Sequence, residues 1–125
     1  MSAVIAICIG ACVGALARWQ LGTWLNSQEA LLPWGTLAAN LIGGYLVGGC
    51  VALFQAQPDL DPAWRLLLVT GFLGALTTFS SFSAEVVAIL SEGRLGIAIA
   101  TACLHLFGSL LMTLAGLKTV ALLLK

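Results

Sequence analysis

Charge is the scarcest thing in this chain. Of its 125 residues five are Lys or Arg, five are Asp or Glu and one is His, so that 8% is charged, 61% is hydrophobic and the formal net charge is zero. So few polar side chains cannot cover a globule in water, which excludes a soluble domain and makes lipid the main solvent. The cations, Arg18, Arg65, Arg94, Lys118 and Lys125, form no basic cluster, and nucleic acid is not an expected partner. Cysteine is sparse too. Cys8, Cys12, Cys50 and Cys103 fall inside apolar runs with no C-x-x-C pair, which argues for packing rather than metal or redox use. There is no P-loop to hold ATP, and no G-x-S-x-G frame surrounds any serine, which leaves an intramembrane hydrolase built on serine, His105 and Glu85 without support.

What the chain does have is four apolar blocks: Ala3 to Leu25, Trp34 to Phe54, Ala63 to Leu90, and Leu95 to Leu117 running on toward Leu124. Each reaches the roughly 20 residues that cross about 30 Å of hydrocarbon as helix, whereas a barrel would show alternating segments of about ten. The predicted fold class is an all-α membrane protein, one transmembrane domain over 1–125 with spans near 3–25, 34–54, 63–90 and 95–124. The first block lacks a basic start and carries Arg18 and Trp19 late, so it is read as a retained span and not as a signal peptide. Short connections join the spans at Asn26 to Pro33, Gln55 to Pro62 and the hairpin Ser91-Glu92-Gly93-Arg94. With both termini on one face, that face carries Arg65, Lys118 and Lys125 and the other carries Arg18 and Arg94. Orientation follows the excess of Lys and Arg near span ends, and so small a bias suits insertion both ways up. An antiparallel homodimer then becomes accessible, its interface burying the same patch from each copy.

Small residues mark close helix approach: Gly10 with Gly14 on the first span, Gly44 with Gly48 on the second. The third span is the unusual one. Gly71-Phe72-Leu73-Gly74-Ala75-Leu76 is followed by Thr77-Thr78-Phe79-Ser80-Ser81-Phe82-Ser83, five hydroxyls and two rings at mid-membrane depth. A helix broken near Gly74 is predicted, its freed N–H and C=O groups lining a cavity or binding an ion; the alternative is hydroxyls bonding back within an unbroken helix. Phe79 and Phe82 share one helical face, and the electropositive edges of two rings beside hydroxyl donors suit a small anion without gripping it. Asn40, mid-way along the second span, needs a partner for its amide, either another helix or a permeant ion. Thr101, His105, Ser109 and Thr113 recur every four residues as a polar stripe, which reads either as a pathway wall or as interhelical hydrogen bonding. Glu85 belongs in a wet vestibule or beside a cation, and Arg18 either snorkels near Trp19 and Trp24 or draws anions to a mouth.

These residues carry a resemblance that covers nearly the whole chain. The run Gly71 to Phe82 resembles the G-x-x-G-x-x-T-T-F-S-[ST]-F signature of the Fluc fluoride channels, also called CrcB proteins. Gly35, Thr36, Asn40 and Gly43 are similar to that family's G-T-x-x-x-N-x-x-G element, and Gly10, Gly14, Ala15 and Arg18 to its G-G-x-x-G-A-x-x-R element, with Ala11 in place of the second glycine. The resemblance implies a dual-topology, antiparallel homodimer in the bacterial inner (plasma) membrane, with two pores that pass fluoride out of the cell and lower its toxicity. Phe79 and Phe82 would offer ring edges to fluoride, with Asn40 as an amide donor. Ser80, Ser81, His105 and Ser109 would continue the polar track, with Arg18 at the aqueous vestibule and Glu85 near the pore end. A structural sodium ion on the dimer axis would be held by the backbone carbonyls of Gly74 and Thr77. Three rival readings stand beside it: the serine hydrolase above, a four-span exporter of cationic drugs using Glu85, whose kind carries its acid on the first span, and an accessory subunit with no pore.

Overall fold

The computed structural model describes residues 2–26 and 30–125; within the first connection, 27–29 lie outside the described residues. Among the described residues four helices are long and apolar enough to cross a membrane: Ala3–Leu25, Trp34–Ala56, Pro62–Ser91 and Leu95–Leu123. Because the third is interrupted, the elements are named α1 (Ala3–Leu25), α2 (Trp34–Ala56), α3 (62–76), α4 (Phe79–Ser91) and α5 (Leu95–Leu123).

The helix ends follow from local chemistry. Ser2 caps α1, its hydroxyl accepting from Ile5 N at 3.3 Å. Asn26 closes that helix and accepts from Gly35 N at 2.7 Å, which latches the start of α2 to the end of α1. Asp61 accepts from Ala63 N at 2.8 Å with Pro62 in the first turn, so α3 begins earlier than hydropathy alone indicates. After α4 the chain reverses through Gly93, whose φ of 75° suits a residue without Cβ.

Two glycine-lined contacts organise the bundle. α1 lies against α3, and α2 against α5. A Cβ added at Gly10 would strike the Leu67 carbonyl and one at Gly14 the Phe72 carbonyl; across the other seam Gly48 faces the Thr113 carbonyl and Gly116 the Tyr45 carbonyl. Such close approach is how helices associate where lipid removes the hydrophobic drive. Gly48→Ala is therefore expected to push α2 from α5 and to cost about 1–3 kcal/mol. Gly96→Ala, where an added Cβ meets nothing within 4 Å, is neutral or slightly stabilising. Thermal denaturation in detergent checks the contrast, and equal midpoints would refute it.

The interior is small. Ala39, Leu73 and Leu76 form its centre, with Leu21, Val47, Cys50 and Phe72 packed around them. Leu111, Leu122, Trp19 and Trp24 stay exposed, as a lipid-facing surface requires.

Two features of the third span depart from the sequence reading. Residues Leu66–Leu73 are wound as π-helix, a local widening that periodicity did not announce. The interruption falls at Thr77 and Thr78, not at Gly74, which keeps helical angles of −62° and −32°. Thr77 (φ −80°, ψ 152°) and Thr78 (φ −151°, ψ 118°) are extended, a conformation β-branched residues adopt readily.

Candidate functional site

An unbroken helix through 74–81 would bond the N–H groups of Thr78, Phe79, Ser80 and Ser81 to the carbonyls of Gly74, Ala75, Leu76 and Thr77. The extended pair cancels all four bonds, and in hydrocarbon each orphaned group must find another partner. Thr78 N donates to Asn40 Oδ1 at 2.8 Å, while Asn40 Nδ2 donates to Thr78 O at 3.1 Å. One amide on α2 thus replaces the bond that Thr78 N loses at the break and adds a second donor to Thr78 O, whose own helical donor, Phe82 N, lies within α4. Ser81 N donates to Thr78 Oγ1 at 3.1 Å, making Thr78 the cap of α4. Arg18 Nε donates to Ala75 O at 2.9 Å, placing a cation at the carbonyl end of α3 where the helix dipole favours it. Among the described residues the carbonyls of Gly74, Leu76 and Thr77 and the N–H groups of Phe79 and Ser80 receive no substitute bond.

The break opens onto a cavity of about 470 Å³ between α2, α3, α4 and α5. Its polar wall comes from Asn40, Thr77, Thr78, His105, Ser109 and Thr113, and its aromatic wall from Phe79 and Phe82. The Phe79 and Phe82 rings meet edge to face, centroids 5.4 Å apart at 64°, and Phe82 stacks on His105 at 4.6 Å and 29°. Phe79 is 78% exposed in the isolated chain, so one side of the cavity is open to whatever lies against α4. Ser80 and Ser81 turn their hydroxyls toward Thr78 Oγ1, at 3.2 and 3.1 Å. His105 is buried, and its Nδ1 lies 3.0 Å from Asn40 Nδ2.

The polar stripe on α5 divides. Thr101 and Thr113 donate to carbonyls one turn back, Ile97 O at 2.8 Å and Ser109 O at 2.9 Å, as isolated hydroxyls in spans do. His105, Ser109 and Thr113 face the cavity, and Thr101 does not line it. Thr77 also bonds back, its hydroxyl on Leu73 O at 2.8 Å, which leaves its carbonyl and not its side chain available.

Glu85 lies apart from the rings, at the end of the bundle that carries the Ser91–Arg94 hairpin. Its Oε1 accepts from the Thr36 hydroxyl, while Oε2 is buried with no partner among the described residues. Arg94, at the same end of the bundle, pairs with Glu92 at 2.9 Å. A second cavity of about 310 Å³, with Pro33, Glu85, Ile89 and Arg94 in its wall, opens at this end. Thr36 and Thr78 are the residues whose roles sequence reasoning passed over. The signal for Thr78 was its place one residue before the α4 start, the usual cap position; for Thr36, a hydroxyl at the mouth of a span, there was none.

Comparison with known proteins places these residues in company. The CrcB-like protein family (Camphor Resistance, CrcB) matches residues 5–117. A fluoride-specific ion channel FluC from Albidiferax ferrireducens is 69% identical over 98% of this chain and 94% of its own length. Those of Variovorax paradoxus and Pseudomonas aeruginosa are 64% and 57% identical, over 94% and 91% of this chain and 93% and 90% of their own lengths.

Proposed function

The chain belongs to the CrcB-like family of fluoride-specific ion channels, passive transporters and not enzymes, and from that premise we propose that it conducts fluoride through the cavity at the third-span break. The observation that carries the assignment of the pathway is the shared wall: both rings, the Asn40–Thr78 clamp, His105 and Ser109 line one space. Ring edges and N–H or O–H donors solvate a dehydrated anion without the grip of a fixed cation, so the ion can leave. Arg18 has one donor committed to Ala75 O and four remaining for an anion arriving at the pore's end. Glu85, toward the end of the bundle that carries the Ser91–Arg94 hairpin, would be a second polar residue near the pore end.

The functional unit is an antiparallel homodimer with two pores, inserted in the bacterial inner membrane. Two observations support it: the nearly balanced Lys and Arg distribution, and Phe79, a cavity residue left open until a second copy covers it. A structural sodium ion fits the same arrangement. The break takes from Gly74 O and Thr77 O the amides that would have bonded them, and among the described residues no other donor replaces these. Carbonyl oxygens of this kind are hard-cation ligands, and two copies related by a two-fold axis would supply four. When bound, the ion would offset the carbonyl dipoles and tie the two breaks together.

Export needs no energy source. A membrane potential negative inside is worth about 2.3 kcal/mol per charge per 100 mV and drives an anion outward. Efflux from liposomes, with a fluoride electrode, a potassium ionophore to clamp voltage and chloride as control, should show rapid fluoride release with chloride retained. No release from folded protein would overturn the assignment, and release coupled to a proton gradient would favour a Glu85-based exporter.

A further inference from the structure

Gly10, Gly14 and Arg18 follow one another at intervals of four and so share one face of α1. That face tracks the backbone of α3. A Cβ at Gly10 would meet Leu67 O and Phe72 N, and one at Gly14 would meet Phe72 O and Leu76 N. One step further along, the face reaches the last turn of α3, where the break has released Ala75 O from the amide of Phe79. Here the spacing delivers a donor in place of a gap, and Arg18 Nε donates to Ala75 O at 2.9 Å. The bonded atom is the inner nitrogen of the guanidinium; the outer two make no bond among the described residues. Arg18 stands in the wall of neither cavity, so its charge acts on an anion within them only from a distance.

Resting on the fluoride-channel reading, we infer that Arg18 is a positioning residue: conduction depends on its Nε–H, which latches the end of α3, and not on its charge. The break then has two holders on two helices. Asn40 of α2 grips Thr78, and Arg18 of α1 grips Ala75, three residues upstream. With both ends of the extended stretch tied, its course between them is set. Remove the latch and Ala75 O has lost its partner at membrane depth, where an unsatisfied carbonyl is costly. The nearest remedy is to take back Phe79 N–H by rewinding the turn, which closes the opening that the extended pair creates. Arginine suits the place because it carries donors only, and brings no acceptor that would itself need a partner.

Two variants separate donor from charge. Arg18→Gln sets an amide N–H the same number of bonds from Cα and removes the charge; Arg18→Met keeps an unbranched chain and removes both. Fluoride efflux from liposomes should stay within about threefold of wild type in Arg18→Gln and fall about tenfold or more in Arg18→Met, as loss of a hydrogen bond from a charged donor implies. The fluoride concentration giving half-maximal flux should not change. A steering charge predicts otherwise: equal losses in both variants, seen as a raised half-maximal concentration that added salt abolishes. That pattern, or folded Arg18→Gln without flux, overturns the inference. Amide exchange in nanodiscs adds a readout that general loosening would move the other way, since exchange at Phe79 should slow in Arg18→Met as its N–H returns to Ala75 O. Should a variant fail to fold, ¹⁵N-arginine NMR of the wild type decides: Arg18 Nε–H must be protected from exchange, and rapid exchange sinks the latch. Wild-type protein that does not conduct fails the channel reading instead, with the exchange data still judging the latch.

Discussion

Asn40→Ala is expected to abolish fluoride flux and to lower the thermal midpoint of the purified protein by roughly 10 °C or more. The substitution removes the acceptor of Thr78 N, the donor to Thr78 O and the donor to His105 Nδ1. Each buried group left orphaned costs about 1–3 kcal/mol. Thr78 N and His105 Nδ1 are left orphaned and Thr78 O loses its second donor, which together consume a sizeable part of the roughly 5–15 kcal/mol by which folded proteins typically exceed their unfolded states. The chain has a cheaper alternative, which is to rewind the break into continuous helix and close the opening that the extended pair creates. Asn40→Asp sharpens the point: it keeps the acceptor for Thr78 N at the same volume but sets an oxygen against Thr78 O. Its stability should fall less than that of Asn40→Ala, with flux still reduced. Wild-type flux and midpoint in Asn40→Ala would show that the clamp is not what holds the break.

Phe82→Ile and Phe79→Ile should each reduce fluoride flux about tenfold, and the double variant about a hundredfold if the rings act independently. Isoleucine retains apolar bulk but lacks the positive ring edge, and contacts between ions and aromatic rings are worth about 1–2 kcal/mol when desolvated. The two substitutions differ in what else they disturb. Phe79 is 78% exposed in the single chain, so its loss should leave the fold of the chain untouched. Phe82 also supports the His105 ring, and its replacement should slacken that residue as well. Size-exclusion chromatography separates a conduction defect from an assembly defect. Undiminished flux in both variants, with normal elution, would remove ring-edge solvation as the mechanism.

The sequence by itself determined the solvent, the number of spans and the seams between them. Four apolar runs of sufficient length have no stable alternative to helix in lipid, because every backbone group must be bonded within the segment. Gly10 and Gly14, and Gly44 and Gly48, lie on single helix faces by their spacing of four, and these faces are the ones that receive α3 and α5. The hydroxyl-rich run announced that the third helix would break, since residues that compete for backbone bonds weaken a helix wherever they cluster. The site of the break was legible only to within a turn. Gly74 drew attention as the flexible residue, yet it stays helical, because what fixes an interruption in lipid is where the freed groups find partners. Those partners are remote: Asn40 is 38 residues from Thr78 and 65 from His105, and Arg18 is 57 from Ala75. No local pattern encodes such a meeting. Only the packing of α1 on α3 and of α2 on α5 brings the guanidinium and the amide to the broken backbone, and that register is set by glycine contacts summed over whole helices. The sequence thus supplied the chemistry of the site, while the tertiary structure decided which groups are consumed in holding it open and which remain free for an ion.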